Sequence, residues 1–310
     1  MKRHSLLRHL FCLVALSLSL FAGIASAADQ PGRPSKLLVG LLPGESATTV
    51  LRLNEPLRAY LEKRLGIPVE IVVGSNYAAT SAALRFGRLH IAYLGPVSYI
   101  LQSKYAPMEP FARPSHELVG PTFQAVVIVP ADSPAKKLSD LKGKQIGFGD
   151  PASTSGTWVP RYMLVESGLV SERDYTLRVL GAHDRVAFAV AEHKLDAGGL
   201  SKPVYLRLLK EGKIDASKVR VLAESPAIPE YMWTFGSGLD PKFKEEIRKA
   251  FIEVNDPAAL KVFGAEAFIP CVDSDVDRVR TWIDAIAKAH PESRDILKDR
   301  QSGPKDLEKE

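Results

Sequence analysis

Ser153, Thr154 and Ser155 place three hydroxyls on consecutive residues, followed at once by Gly156. They stand where an apolar run around Gln145–Phe148 gives way, through Asp150-Pro151, to a helical pattern carried by Val159, Met163 and Leu164. Hydroxyls donate hydrogen bonds without adding fixed charge. Small polar residues opening a helix also leave several backbone N–H groups unpaired at the positive end of the helix dipole. That combination is a seat for an oxyanion such as a phosphate, phosphonate or sulfate. The plain alternative is an ordinary N-cap, since serine and threonine are favoured there in any helix.

Other chemistries lack their marks. Acyl transfer would use a G-x-S-x-G elbow, and Ala152-Ser153-Thr154-Ser155-Gly156 lacks the first glycine. His90, His116, His183, His193 and His290 are scattered and form neither H-E-x-x-H nor H-x-H. No G-x-x-x-x-G-K loop is present, so nucleotide hydrolysis would belong to a partner. A binding protein without cofactor or metal is expected, not an enzyme.

The elements that must position such a seat alternate along the chain. Lys36–Leu42 reads as a strand; Val50, Leu53, Leu57, Leu61 and Leu65 recur at helical spacing from Thr48 and stop at Gly66. Pro68–Val73 reads as a strand, Tyr77–Phe86 as a helix, Leu89–Leu94 as a strand, and Gly95-Pro96 opens another helix. A second unit begins with the apolar strand Phe123–Val129 and includes Gln145–Phe148, the helix Trp158–Ser167, the strand Leu177–Leu180, the helix Arg185–Glu192 and the strands Leu195–Leu200 and Val219–Leu222. Helices Pro241–Val254 and Val276–Ala287 follow. Such alternation implies parallel sheets with helices on both faces. Chain crossings near Pro121–Gln124 and Glu224–Tyr231 would make two lobes with a cleft, its ligand at the carboxyl ends of the strands.

The first residues carry Lys2, Arg3 and Arg8, then an apolar run from Leu10 to Ile24 and Ala25-Ser26-Ala27, the pattern of a cleavable secretory signal over residues 1–27. Removing those three bases lowers the basic count from 41 to 38 against 36 acids, and the net charge from +5 to +2. The apparent basicity is largely the signal, and no basic cluster interleaved with aromatics marks a nucleic-acid surface. Of the two cysteines, Cys12 and Cys271, only the second would survive cleavage, so an exported chain must hold its fold by burial.

Taken together, Ile91-Ala92-Tyr93-Leu94-Gly95-Pro96, Asn76-Tyr77-Ala78-Ala79, Ser153-Thr154-Ser155-Gly156, Leu195-Asp196-Ala197-Gly198-Gly199 and Glu224-Ser225-Pro226-Ala227-Ile228-Pro229 resemble a known family. It is the PhnD-like periplasmic phosphate, phosphite and phosphonate-binding proteins of ABC transporters, and the likeness runs over roughly residues 36–285. The resemblance implies an α/β, two-lobe type II periplasmic binding protein fold with a hinge and an interlobe cleft. The expected boundaries are lobe 1 over 36–121 plus 225–290, lobe 2 over 122–224, and a polar tail over 291–310.

It also implies that Ser153, Thr154 and Ser155 bind the phosphorus oxygens, that Tyr77 and Tyr93 face them from the other lobe, and that His183 contacts the anion. For each tyrosine a structural, half-buried place is the alternative; for His183, a surface pairing with Asp184. Glu230 stands where the family usually carries aspartate. Beside an anion its carboxylate would select ligands that bring a proton or an amine. Its alternative is an exposed carboxylate on a hinge loop. Near Lys202, members that bind aminoalkylphosphonates carry an acid; Ser201-Lys202-Pro203 here favours a small anion such as phosphite, methylphosphonate or phosphate. Asp196 reads as a structural cap. The implied partners are that oxyanion and an inner-membrane ABC permease with its ATPase, the protein acting as a periplasmic monomer. Delivery to a membrane sensor, or a sulfonate or organic ligand, stays open.

Overall fold

The computed structural model describes residues 32–289. The signal-peptide and polar-tail readings, 1–27 and 291–310, lie outside them. Strand β1 (Leu37–Leu41) leads to helix α1 (Ala47–Leu65). The Ser46 side chain accepts the Thr49 N–H to start this helix, and Gly66, at φ 68°, ends it in the left-handed region where a Cβ is costly. Leu57, Leu61 and Leu65 are buried one turn apart, whereas Val50 and Leu53 of the same stripe are only partly buried and line a cavity. Strand β2 (Val69–Val73), helix α2 (Tyr77–Arg85, capped by Asn76), strand β3 (Ile91–Leu94) and helix α3 (Pro96–Ser103, with proline in its first turn) complete the opening unit.

Strands β4 (Glu109–Ser115), β12 (Met232–Phe235) and β13 (Ala267–Ile269) extend the same sheet to six strands, in the order β13-β4-β12-β3-β1-β2. The parallel expectation holds only for β1 with β2 and β3; the other three strands join antiparallel. Sequence reading passes over β4 because Pro110 and Pro114 cannot donate to a ladder and argue against an interior strand. Here they face Thr234 and Phe268 across the two neighbours, and the register slips between Trp233 and Thr234.

The second sheet has five strands in the order β10-β6-β9-β7-β8, comprising β6 (Ala125–Pro130), β7 (Gln145–Gly149), β8 (Thr176–Gly181), β9 (Ala197–Ser201) and β10 (Val219–Glu224). It too is mixed: β7 runs parallel to β8 and β9, while β6 runs antiparallel to β9 and β10. Every residue of β6 is buried, which its unbroken apolar sequence reflects. Helices α4 (Val159–Glu166), α5 (His183–Ala191) and α6 (Lys202–Lys210) follow β7, β8 and β9. Sequence reading misses α6, whose last turn alone carries Arg207 and Lys210 among its apolar residues.

The chain passes from the first sheet to the second through β5 (Thr122–Phe123) and returns through β11 (Ile228–Pro229), and these two short strands pair antiparallel with each other. Glu230 N–H to Pro121 O and Ala125 N–H to Ser225 Oγ tie the same passages together.

Helix α7 (Pro241–Ile252) covers the first sheet, where the Tyr60 hydroxyl donates to Ala250 O. Helix α8 (Pro257–Lys261) follows, and helix α9 (Asp277–Ala289) stacks Trp282 on Tyr162 of α4. The first core is aromatic: Phe111 stacks on Phe235 at 4.0 Å, and Phe251 lies edge-on to Phe111 at 5.3 Å and 4.8 Å from Trp233. Truncating a buried phenylalanine forfeits burial and leaves a void. Phe251→Ala is expected to cost roughly 3–5 kcal/mol by urea unfolding.

Candidate functional site

After β7 the chain turns at Asp150-Pro151, where Ser153 N–H bonds Asp150 O. The Ser153 hydroxyl accepts the Gly156 N–H at 3.1 Å, as a helix cap does. The helix does not begin as an α-turn, however. Residues Thr154–Trp158 form a wider π-turn, with Trp158 N–H on Ser153 O and Val159 N–H on Thr154 O, and α4 proper starts at Val159. Pro160 has no N–H to offer one turn back, which favours such loosening. The sequence expectation of a regular helix from Trp158 is corrected accordingly.

This turn meets the opposite sheet's strand–helix joints. Asp150 accepts the Ala152 N–H through Oδ1 and the Tyr77 N–H through Oδ2. The Val97 N–H donates to Thr154 Oγ1 at 3.0 Å, and the Ser98 hydroxyl donates to Ala152 O. The His183 N–H donates to Gly44 O at 2.9 Å. The ends of β1, β2 and β3 are thus each bonded across to the second half, so the structure is closed over the site.

Ser153, Thr154 and Ser155 are fully buried. The Tyr231 hydroxyl faces Ser153, Ser155 and Tyr77, and the Tyr77 hydroxyl faces Ser153. Ser155 Oγ nevertheless completes no hydrogen bond of ordinary geometry. Burial pushes the Tyr231 phenol up to about 12 and raises those of Tyr77 and Tyr93 well above the ordinary value, so all three stay neutral donors. Two glycines make the room. A Cβ on Gly95 would lie 2.8 Å from Tyr231 Cζ, and one on Gly156 would lie 2.8 Å from His183 Cε1. In front of this cluster is a cavity of about 210 Å³, lined by Tyr77, Tyr93, His116, His183, Glu230 and Tyr231 together with apolar side chains. Of the expected site residues, Tyr77, Tyr93, His183 and Glu230 line the cavity, and the three hydroxyl residues lie behind the Tyr77 and Tyr231 phenols.

His183 is buried, not on the surface, and Asp184 accepts from the Arg185 N–H instead. Its Nδ1 accepts the Ser201 N–H at 3.3 Å, which leaves the proton on Nε2. Burial lowers its pKa to about 4, so it is a neutral donor and brings no charge to an anion at neutral pH. Glu230 is not an exposed loop carboxylate either. Its Oε1 accepts from the Tyr231 N–H at 2.9 Å and the Tyr93 hydroxyl at 3.4 Å, and its Oε2 lies 3.2 Å from His116 Nε2. His116 Nδ1 faces Gly264 O at 2.9 Å, so both ring nitrogens meet acceptors, an arrangement that favours the protonated ring, and the Glu230 hydrogen bond raises its pKa.

His116 and Tyr231 are the residues sequence reading missed. His116 lies 114 positions from its partner, with no local pattern to mark it. Tyr231 follows a residue that was singled out, so an aromatic at a hinge end was the available signal. Lys202 turns away from the cavity to Glu224 and Gln124, at 2.7 and 3.0 Å. Asp196 accepts the Gln145 N–H, a structural place as expected. Among the described residues no group of three or more His, Cys, Asp or Glu could hold a metal ion.

The His183 shift carries a sign that can be measured. Between the ordinary value of 6.5 and about 4, the unfolded chain takes a proton that the folded chain refuses, so acid removes stability across that window. The full effect is on the order of 3 kcal/mol. The raised His116 pKa acts oppositely, adding stability that is lost as pH rises, and it is common to both proteins compared. Urea unfolding should show His183→Gln losing less stability than the wild type between pH 7 and pH 5; equal losses would refute the buried neutral imidazole.

A family model for the periplasmic substrate-binding protein of a phosphonate ABC transporter matches residues 39–276. A phosphate-import protein, PhnD, of Mycolicibacterium smegmatis is 27% identical over 88% of this chain and 94% of its own. A phosphonates-binding periplasmic protein of Escherichia coli is 28% identical, over 76% of this chain and 70% of its own. Among solved structures, a binding-protein component of an ABC phosphonate transporter from Pseudomonas aeruginosa superposes with a TM-score of 0.75. It is 22% identical and covers 89% of this chain and 91% of its own.

Proposed function

The chain belongs to the periplasmic substrate-binding proteins of phosphonate ABC transporters, with their two-lobe type II fold, and from that membership we propose that it captures a phosphorus oxyanion by lobe closure and delivers it to a membrane permease. The lobes are 36–121 plus 225–290 and 122–224, turning about β5 and β11. The relatives are binding proteins, and their names divide between phosphate and phosphonates, so the shared chemistry is the tetrahedral phosphorus oxyanion. No helix among the described residues is long and apolar enough to cross a membrane, so a membrane partner would carry the transport step.

The observation that carries the ligand class is Ser155 Oγ, fully buried and completing no hydrogen bond of ordinary geometry, beside the hydroxyl of Tyr231. A buried hydroxyl left unpaired is costly, and an anion's oxygen relieves that cost. The Ser153–Ser155 turn, the first amides of the helix, the two phenols and His183 Nε2–H then supply donors of no net charge around the ligand. Dryness makes these dipoles effective in place of a fixed cation. Glu230, neutralised by His116, holds Tyr93 and the Tyr231 amide in place, so the expectation that it selects protonated ligands gives way to a positioning role. Opening the cleft to load or release ligand breaks the bonds of Tyr77 to Asp150, Val97 to Thr154 and His183 to Gly44, together with the Glu45–Arg207 ion pair.

Isothermal titration of the anion-stripped protein with phosphite, methylphosphonate, 2-aminoethylphosphonate, phosphate and sulfate tests the reading. At least one phosphorus oxyanion should bind tightly, and Ser155→Ala should weaken it by roughly tenfold or more, the worth of a hydrogen bond to a charged group. Full affinity in that variant would remove the hydroxyl turn from the site. Complementation of phosphonate growth against a signalling reporter separates delivery to a permease from delivery to a sensor.

A further inference from the structure

The cavity is larger and more apolar than an inorganic oxyanion needs. About 210 Å³ is available in front of the phenols, where an engineered cavity of about 150 Å³ already accepts benzene. Apart from the groups that surround the anion, its walls are mainly apolar, with Leu41, Val50 and Leu53 from one half, Val204 from the other, and Val262 and Phe263 beside Tyr93. Val50 and Leu53 complete the helical stripe of α1 but are only partly buried; Val50 packs against the first core, and both residues also present surface to the cavity.

Charge is matched inside this space. The two carboxylates on its wall are already engaged: Glu45 is paired with Arg207, and Glu230 with His116. The lysine nearest the wall, Lys202, is held by Glu224 and Gln124. Asn54 and Ser201 add neutral polar side chains to the same wall, so an ammonium or carboxylate on a ligand's tail would find no unpaired opposite charge among the described residues there and would lose much of its hydration.

Resting on the phosphorus-oxyanion reading above, we propose that the preferred ligand is a phosphonate whose carbon chain is apolar, several carbons long and free of an amine. Its oxyanion sits against Tyr77, Tyr231 and the hydroxyl turn. Its tail is buried among Val50, Leu53, Val204, Val262 and Phe263.

Calorimetry with a graded series tests this: phosphite, then methyl-, propyl- and butylphosphonate, with 3-aminopropylphosphonate as the charged tail. Affinity is expected to rise about fourfold per added methylene, the gain from burying one methylene. The aminopropyl compound should fall at least tenfold below the propyl one. Leu53→Trp and, independently, Val204→Trp fill the tail space from opposite halves. Each should lower the ratio of butylphosphonate to phosphite affinity by tenfold or more, a readout within one protein that a general loss of folding does not imitate. Phosphite or methylphosphonate binding as tightly as butylphosphonate, or an unchanged ratio in both variants, overturns the tail assignment while leaving the oxyanion reading standing. Binding of no phosphorus compound by the intact protein overturns both.

Discussion

Among the described residues no lysine or arginine lines the cavity, so an anion held there would depend on neutral donors kept out of water. That constraint organises the molecule. Dipoles in a dry site are worth far more than in solvent, but each buried donor left without a partner is a penalty. The donors are therefore drawn from places where the fold supplies them rigidly: a helix start after β7, the start of α2, and a tyrosine two residues beyond strand β11. The same burial keeps the phenols protonated and His183 uncharged, so the groups around the anion act as donors across the neutral range.

Closure and recognition use the same atoms. Asp150 caps its own turn through Oδ1 and reaches Tyr77 N–H through Oδ2, and Thr154 Oγ1 receives the Val97 N–H. Burial raises the Asp150 pKa and the Ala152 and Tyr77 amides offset only part of that, so closure leaves this carboxylate under a desolvation penalty that the two amides reduce. The hinge lies immediately beside the site. Glu230 N–H bonds Pro121 O within the hinge, and the Glu230 side chain bonds Tyr93 and His116. On the proposed hinge, a rotation about β5 and β11 would move Tyr231, Glu230 and His116 together, and the pairing of Glu230 with His116 would keep its charge from opposing a ligand.

Much of the local structure was legible because local rules decide it. Gly66 and Asn76 mark helix boundaries through backbone and side-chain hydrogen bonds within a few residues. Periodicity alone recovered α1, and an unbroken apolar run recovered β6 as a strand buried on both faces. The elements that escaped are those whose local chemistry argues against their final state. β4 carries two prolines and is a strand only because β12 and β13 flank it. The antiparallel half of each sheet escaped as well, since strand direction depends on which way the hinge passages return the chain.

The sequence by itself determined the family and the residue types of the proposed anion seat, since those depend on contiguous patterns: Ser153-Thr154-Ser155-Gly156 and the strand–helix joints. Only the tertiary structure decided their electrostatic states. His183 is neutral because packing buries it, Glu230 is paired because His116 folds back against it across 114 positions, and Lys202 is turned aside by Glu224. The size of the cavity was decided there too, by where the α1 stripe becomes only partly buried at Val50 and Leu53. Desolvation and long-range pairing are properties of the assembled chain, and no window of neighbouring residues contains them.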